Sequence, residues 1–187
     1  TGYVAIDTET TSLNDMLAEL VGISLATEIG SACYIPIGHK EGQGDDLFDN
    51  FQLVEGQLDL EYVLDCLRPV LTDDSILKIG QNIKYDAKVL SRYGIEVTTF
   101  DDTMLLSYAM HGGLHNHGMD ALSERYLDHS PISIKTLIGS GKSAITFDKV
   151  KIEDAVTYAA EDADITLRLW KIFKQKLHLS KVTKVYE

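Results

Sequence analysis

Tyr3-Val4-Ala5-Ile6-Asp7-Thr8-Glu9-Thr10 opens the chain with an apolar run that turns acidic at its end. Tyr3 to Asp7 reads as a buried strand, because short apolar runs rich in β-branched and aromatic residues suit a sheet interior. Residues two apart on a strand share a face, so Asp7 and Glu9 stand side by side. Two neighbouring carboxylates at the end of a buried strand repel unless a cation lies between them. Taken alone, an Asp-x-Glu tripeptide is more often a solvated pair beyond a strand that stops at Ile6. The remaining segments decide between the two.

Leu20 to Ala26 and Ala32 to Ile37 read as two further strands, joined through a turn at Gly30-Ser31. Three short strands so close together suggest an antiparallel meander, with Pro36 favouring an edge or a strand end. Gly38 to Gln57 is polar and glycine-containing, with Asp45-Asp46 inside, and reads as a loop. Leu60 to Leu71 is a helix whose Leu60, Val63, Leu64, Leu67 and Leu71 share one face. Ser75 to Gly80 is a fourth strand and Val97 to Phe100 a fifth. Tyr85 to Tyr93 is a short helix stopped by Gly94. Asp102 to His111 is another, with Asp101 or Asp102 able to cap it. Met119 to Tyr126 and Ile134 to Ile138 are shorter helical pieces.

Lys151 to Leu177 is the clearest helix, with an apolar stripe of Ile152, Ala155, Val156, Ala159, Ala163, Leu167, Trp170 and Phe173. Strands first, with helices interleaved and following, indicate an α/β domain with a mixed sheet. No repeat, low-complexity tract or interdomain linker breaks residues 1–187, so one domain is expected.

The 187 residues carry 29 acidic and 17 basic side chains, a formal charge of −12. Broad phosphate-backbone binding driven by counterion release is therefore disfavoured, and long duplex DNA is expected to bind poorly. A metal ion can reverse the sign of an acidic pocket locally, so a nuclease is not excluded. Cys33 and Cys66 form no C-x-x-C pair, so zinc and dithiol chemistry have no support. No apolar run reaches the length of a membrane span, and no signal peptide is visible. The chain starts at Thr1-Gly2 without an initiating Met, which reads as a piece of a longer protein or a processed one.

Two more segments carry acids in ordered places. Asp86 opens a helix after a strand and turn, where a carboxylate is also favourable simply by the helix dipole. Asn82 and Lys84 beside it are either a turn residue and a solvated lysine or contacts to phosphate or sugar. Tyr158 and Asp162 are one turn apart on the long helix and share a face. Ala159, Ala160 and Ala163 let that face approach the sheet, which would aim Asp162 at the strand of Asp7. Asp164 and Glu161 point elsewhere and read as surface or capping charges. Hard divalent cations take oxygen ligands, and carboxylates spread over three ordered segments suit a metal-dependent phosphodiesterase.

Two other features carry less. Gly139-Ser-Gly141-Lys142-Ser143 ends like a phosphate-binding loop, but Thr136 stands where the first glycine is required and no strand clearly precedes it. His111, His115 and His117 crowd together without regular helical spacing or a cysteine, and read as a solvated glycine-rich loop. His39, His129 and His178 have no discernible partner in the sequence.

Asp7-Thr-Glu9-Thr, Gly80-Gln-Asn82-Ile-Lys84-Tyr-Asp86 and Tyr158-Ala-Ala-Glu-Asp162-Ala-Asp-Ile-Thr together resemble the 3′→5′ exonuclease domain of bacterial DNA polymerase I. That family belongs to the DEDD exonucleases with a tyrosine in the third motif. The likeness extends over Asp101-Asp-Thr103-Met, Met119-Asp-Ala-Leu and Ile145-Thr-Phe147, and so over nearly the whole chain. It implies an RNase H-like fold, with three antiparallel strands followed by parallel additions and flanked by helices.

It also implies hydrolysis with two divalent ions, Mg2+ or Mn2+, held by Asp7, Glu9, Asp86 and Asp162, about 4 Å apart as in two-metal sites generally. Tyr158 would orient the attacking water, since a phenol with a pKa of about 10 is a poor base. Thr8, Leu13, Gln81, Asn82 and Lys84 would contact substrate, with Leu13 wedged against the terminal base unless it is a buried loop anchor. Asn116 stands where the family often has arginine, and Ile134 where an aromatic stacks on a base. Losing a phosphate-pairing cation and a stacking platform weakens single-strand binding.

The same likeness implies a bacterial, cytoplasmic, monomeric enzyme acting on single-stranded DNA 3′ ends, with a polymerase domain following Val185-Tyr-Glu and no membrane attachment. The alternatives are an exoribonuclease similar to RNase D and a non-catalytic module that supports a polymerase.

Overall fold

The computed structural model describes residues 2–42 and 51–187, apart from the Lys142 side chain. Strand β1 (Tyr3–Thr10) lies at the centre of a sheet whose order is β3-β2-β1-β6-β7. β2 (Leu20–Glu28) runs antiparallel to β1, and β3 (Ser31–Pro36) antiparallel to β2. A short ladder of β4 (Lys40–Glu41) and β5 (Gln52–Leu53) follows, then α1 (Leu60–Leu71). β6 (Leu77–Gly80) pairs parallel to β1, and α2 (Lys84–Ser91) leads to β7 (Phe100–Asp102), parallel to β6. The rest is helical: α3 (Thr103–His111), α4 (Met119–Leu127), α5 (Ile134–Ile138), α6 (Ile152–Leu179) and α7 (Thr183–Tyr186). The arrangement is the expected mixed α/β sheet of the RNase H-like type, three antiparallel strands extended by parallel ones.

Alternation along β1 sets the two faces. Val4 and Ile6 point one way, and Ile6 joins the core built with Val63, Leu64 and Leu71 of α1 and Val89 and Leu90 of α2. Tyr3 and Ala5 point the other way, where Ala5, Ile79, Ala163 and Leu167 meet. The small side chains Ala5 and Ala163 let α6 lie close to the sheet. Asp7 and Glu9 continue the Ala5 face toward α6, and Thr8 and Thr10 the Ile6 face toward α2.

Several boundaries differ from the sequence reading. β1 runs on to Thr10, because its pairing with β2 continues through Glu9↔Gly22 and breaks register only between Glu9 and Thr10. The fifth strand is Phe100–Asp102 rather than Val97–Phe100, since β6 pairs Lys78 with Phe100 and Gly80 with Asp102 while Val97 packs into the core. Pro36 ends the edge strand β3, where its missing N–H costs nothing. Asp102, not Asp101, caps α3, accepting from the Met104 and Leu105 amides. Val156 lies outside the buried stripe of α6 and is exposed. The polar stretch from Gly38 to Gln57 holds the β4–β5 ladder, and its Asp45-Asp46 lies outside the described residues. Among the described residues no helix is long and apolar enough to cross a membrane.

Candidate active site

β1 and α6 bring Asp7, Glu9 and Asp162 together, with one oxygen from each within 4.8 Å of the others. Glu9 and Asp162 are buried and Asp7 keeps partial access to solvent. Among the described residues no cation pairs with any of the three, and Glu9 Oε1 is buried without a hydrogen-bond partner. A lone buried carboxylate oxygen is expensive. Burial first, and then the charges of Asp86, Glu9 and Asp162, hold the Asp7 carboxyl well above the usual range. Glu9 is raised by burial and by Asp162 and Asp86. Asp162 is pushed to about 7, chiefly by burial. An all-oxygen, negatively charged, under-bonded set of this kind fits a hard divalent cation.

Asp86 enters from the other side of the sheet. It sits in the first turn of α2 and accepts from the Thr8 amide at 3.0 Å and the Thr8 hydroxyl at 2.5 Å. It is not part of the three-acid group, but its charge is the strongest of those acting on Asp7. Burial raises it to about 7 against the opposing Thr8 hydrogen bonds. Thr8 therefore orients an acid through its backbone and side chain together.

The acids open into a cavity of about 370 Å³ whose walls include Leu13, Tyr85, Ile134, Phe147 and Tyr158. Tyr158 is held far above the ordinary phenol range by burial and by Asp162, Glu9 and Asp7, so it stays protonated. Leu13 is 98% exposed. This rules out a buried anchor and leaves a projecting apolar side chain at the mouth. Ile134 lies on the wall, and aromatic surface comes instead from Tyr85, Phe147 and Tyr158.

The segment before α2 is fixed from several directions. Both ends of the Gln81 amide are used by the protein: Nε2 donates to the His117 carbonyl at 2.8 Å, and Oε1 accepts from Thr103 Oγ1 at 2.5 Å. Asn82 has a left-handed backbone (φ 61), and its amide donates to Asp102 Oδ1 at 2.9 Å. Lys84 is exposed and forms no ion pair among the described residues. The loop carrying Asn116 is closed by a hydrogen bond from the Gly118 N–H to Asn116 Oδ1 at 2.7 Å.

Four residues without a functional role in the sequence reading support this site or the elements that carry it. His39 is fully buried; its Nδ1 donates to the Val150 carbonyl at 2.9 Å and its Nε2 accepts from the Tyr34 hydroxyl at 2.7 Å. Tyr34 lies across Gly22, the residue opposite Glu9, where any Cβ would collide with its hydroxyl. Glu161 is no idle surface charge: it accepts from His129 at 2.8 Å and from the Ile132 amide at 2.7 Å, tying the segment before α5 to α6. Asp164 likewise accepts from the Gly30 amide at 2.6 Å and pairs with Arg168. The phosphate-loop look-alike forms a short 3-10 turn at Gly141–Ser143 after α5, with no strand before it.

Residues 1–178 match the profile of a protein family described as 3′-5′ exonuclease. A DNA polymerase I of Rhizobium leguminosarum is 51% identical over 197 residues, covering 100% of this chain and 19% of that protein. The chain spans about a fifth of the length of the curated relatives it matches. Among solved structures, Brucella melitensis NrnC with bound Mg2+ is 26% identical with a TM-score of 0.71, covering 100% of this chain and 78% of that one. Escherichia coli RNase D, an exoribonuclease, shares the fold at a TM-score of 0.69 and 18% identity, over 99% of this chain and 42% of that one.

Proposed function

Because the chain belongs to the 3′-5′ exonuclease family of A-type DNA polymerases, we propose that it removes deoxynucleoside monophosphates from the 3′ end of single-stranded or frayed DNA. It does so as the proofreading unit of a longer polymerase chain. The observation that carries this reading is the convergence of Asp7, Glu9 and Asp162 without a protein cation, and with a buried oxygen of Glu9 unbonded.

Asp7, Glu9 and Asp162 would hold a divalent ion, Mg2+ or Mn2+, and Asp86 would supply a further carboxylate for a second. Bound ions of this kind neutralise developing phosphate charge and make water a better nucleophile. The protein does the rest. Tyr158, kept protonated, donates to Asp162, and its oxygen is left to accept from and orient the attacking water. Thr8 fixes Asp86. Leu13 stands against the terminal base, and Asn82 and Lys84 reach the adjoining sugar-phosphate. Gln81, with its amide already engaged, holds the shape of that segment. Water attacks phosphorus in line and releases a proton to solvent, the P–O3′ bond breaks, and the 3′ oxygen leaves with a proton taken from solvent.

A 5′-labelled single-stranded deoxyoligonucleotide incubated with Mg2+, Mn2+ or EDTA tests the proposal. A metal-dependent ladder shortening from the 3′ end is expected, with ribo-oligonucleotides degraded more slowly. Faster loss of the ribo-oligonucleotide would move the reading to an exoribonuclease, and no ladder from a folded protein would overturn it.

A further inference from the structure

One cluster of charge lies apart from the acids. The ends of α3, α4 and α6 meet around a second cavity, of about 640 Å³, lined by His111, Arg125, Tyr126 and Lys176. Lys176 Nζ lies 4.5 Å and Arg125 Cζ 5.9 Å from the centre of the Tyr126 ring, and the His111 ring is stacked on it at 6.3 Å. Among the described residues, none of the carboxylate ion pairs involves Arg125, Lys176, His111 or His115. In a chain of formal charge −12, cations left without acids are notable.

Arg125 and Lys176 stand in the last turns of α4 and α6, as His111 does in α3, where a positive charge offsets part of the helix dipole, about half a charge. That accounts for one cation per helix. It does not account for three such ends facing one cavity across a shared tyrosine. The arrangement is self-repelling as it stands, since burial first and then His115, Lys176 and Arg125 hold His111 below the usual histidine range.

A row of rings leads from this cavity toward the segment before α2. From Tyr126 and His111 the next ring is His115, at 5.6 Å from His111, and then His117, at 4.8 Å from His115. The His117 carbonyl holds Gln81 in the segment that leads to Asp86. Aromatic rings interleaved with cations are what a single strand uses, stacking its bases and neutralising its phosphates.

We infer that Arg125 and Lys176, around Tyr126, bind backbone phosphates of the DNA strand upstream of the 3′ end being hydrolysed, with the histidine row as the path between. This rests on the proposed exonuclease reading and extends it to a second binding site. A dinucleotide spans one stacking step of about 3.4 Å, less than the 4.8 Å between the His115 and His117 rings alone, so it does not reach from the acids to this cavity. The site therefore acts on long strands only.

The test uses the chain with Arg125→Ala and Lys176→Ala together, against a deoxydinucleotide and an oligomer of about 12 nucleotides, within the range of single-strand sites. Expected is a KM for the oligomer raised about tenfold, with kcat and the dinucleotide KM unchanged. The logarithmic salt dependence of oligomer binding should flatten by about 1.4, for two lost single-strand phosphate contacts. The charge-keeping pair Arg125→Lys and Lys176→Arg should restore the oligomer KM. Binding is also read by fluorescence anisotropy with a phosphorothioate-ended oligomer, which needs no turnover, so it stands even where hydrolysis fails. An equal KM rise for both substrates, or oligomer affinity and salt slope unchanged by the double alanine variant, would overturn the inference.

Discussion

The two strands on either side of β6 both carry buried or half-buried acids near their ends, and the protein treats them in opposite ways. At the end of β7, Asp101 is saturated. Its oxygens take Trp170 Nε1 at 2.6 Å, the Tyr186 hydroxyl at 3.0 Å and Lys174 Nζ at 3.1 Å. At the end of β1, Asp7 and Glu9 face Asp162 with no cation among the described residues and a buried oxygen unbonded. A carboxylate that the fold needs is given donors by the fold. Three that converge with no cation beside them are the acids proposed above to take a divalent ion.

Removing charge from each end should sharpen that contrast most. Asp7→Asn is expected to lower metal-dependent nucleotide release by at least about 10²–10³-fold, as loss of one electrostatic stabiliser does elsewhere. It should also raise the melting temperature in EDTA, because it relieves repulsion. Nuclease assay and thermal melting of the same preparation check both. Undiminished release would remove Asp7 from the site.

Asp101→Ala should do the reverse. It strands the Trp170 and Tyr186 donors and is expected to cost about 2–3 kcal/mol of stability, the scale of unsatisfied buried polar groups. Denaturant melts measure it. The loss should be the same with and without Mg2+, since no ion is involved. A loss that Mg2+ abolishes would erase the distinction between the two ends.

The pattern of what the sequence disclosed follows from range. Asp7 with Glu9, and Tyr158 with Asp162, are local repeats of two and four, so they can be read from spacing alone. Asp101 could not be told from Asp102 in that way. Its partners Trp170, Lys174 and Tyr186 lie about seventy to eighty-five positions away, and only the folded chain brings them together. His39 was opaque for the same reason, since Val150 closes its second bond across 111 positions. β7 was misplaced because Asp101-Asp102 has poor strand propensity, and its pairing with β6 decides the matter. Glu161 and Asp164 read as surface charges because the amides they bind belong to distant loops.

pH offers a smaller but wider test. Asp86 and Asp162 are raised to about 7, and Asp7 and Glu9 are raised as well, all chiefly by burial. A carboxyl raised in the folded state holds its proton longer there than in the unfolded chain. The ion-free protein is therefore favoured below about pH 4, the unfolded carboxylate range, and loses that advantage as pH rises through about 7. The melting temperature in EDTA should fall by several degrees from pH 5 to pH 8, about 2–4 °C for each kcal/mol in a domain of this size. Mg2+ should reverse the fall at pH 8, because a ligand that binds only the native state stabilises it. Asp7→Asn should flatten the profile.

The smallest expected effect bears on Asp86, which lies between the two extremes: buried like the others, yet given two donors by Thr8. Thr8→Val keeps the shape and the amide bond and removes only the hydroxyl. A residue that orients a metal ligand typically changes ion affinity by 10- to 100-fold when lost. With the amide bond still present, the lower end applies, so the Mn2+ concentration for half-maximal binding should rise about tenfold. Thr8→Ser should recover it. Titration of Mn2+ by calorimetry reads this apart from turnover. If Thr8→Val changes stability but not ion affinity, Asp86 belongs with Asp101 among the acids that serve the fold. If it changes ion affinity at nearly constant stability, Asp86 belongs with Asp7, and Thr8 is the part of β1 that holds it in place.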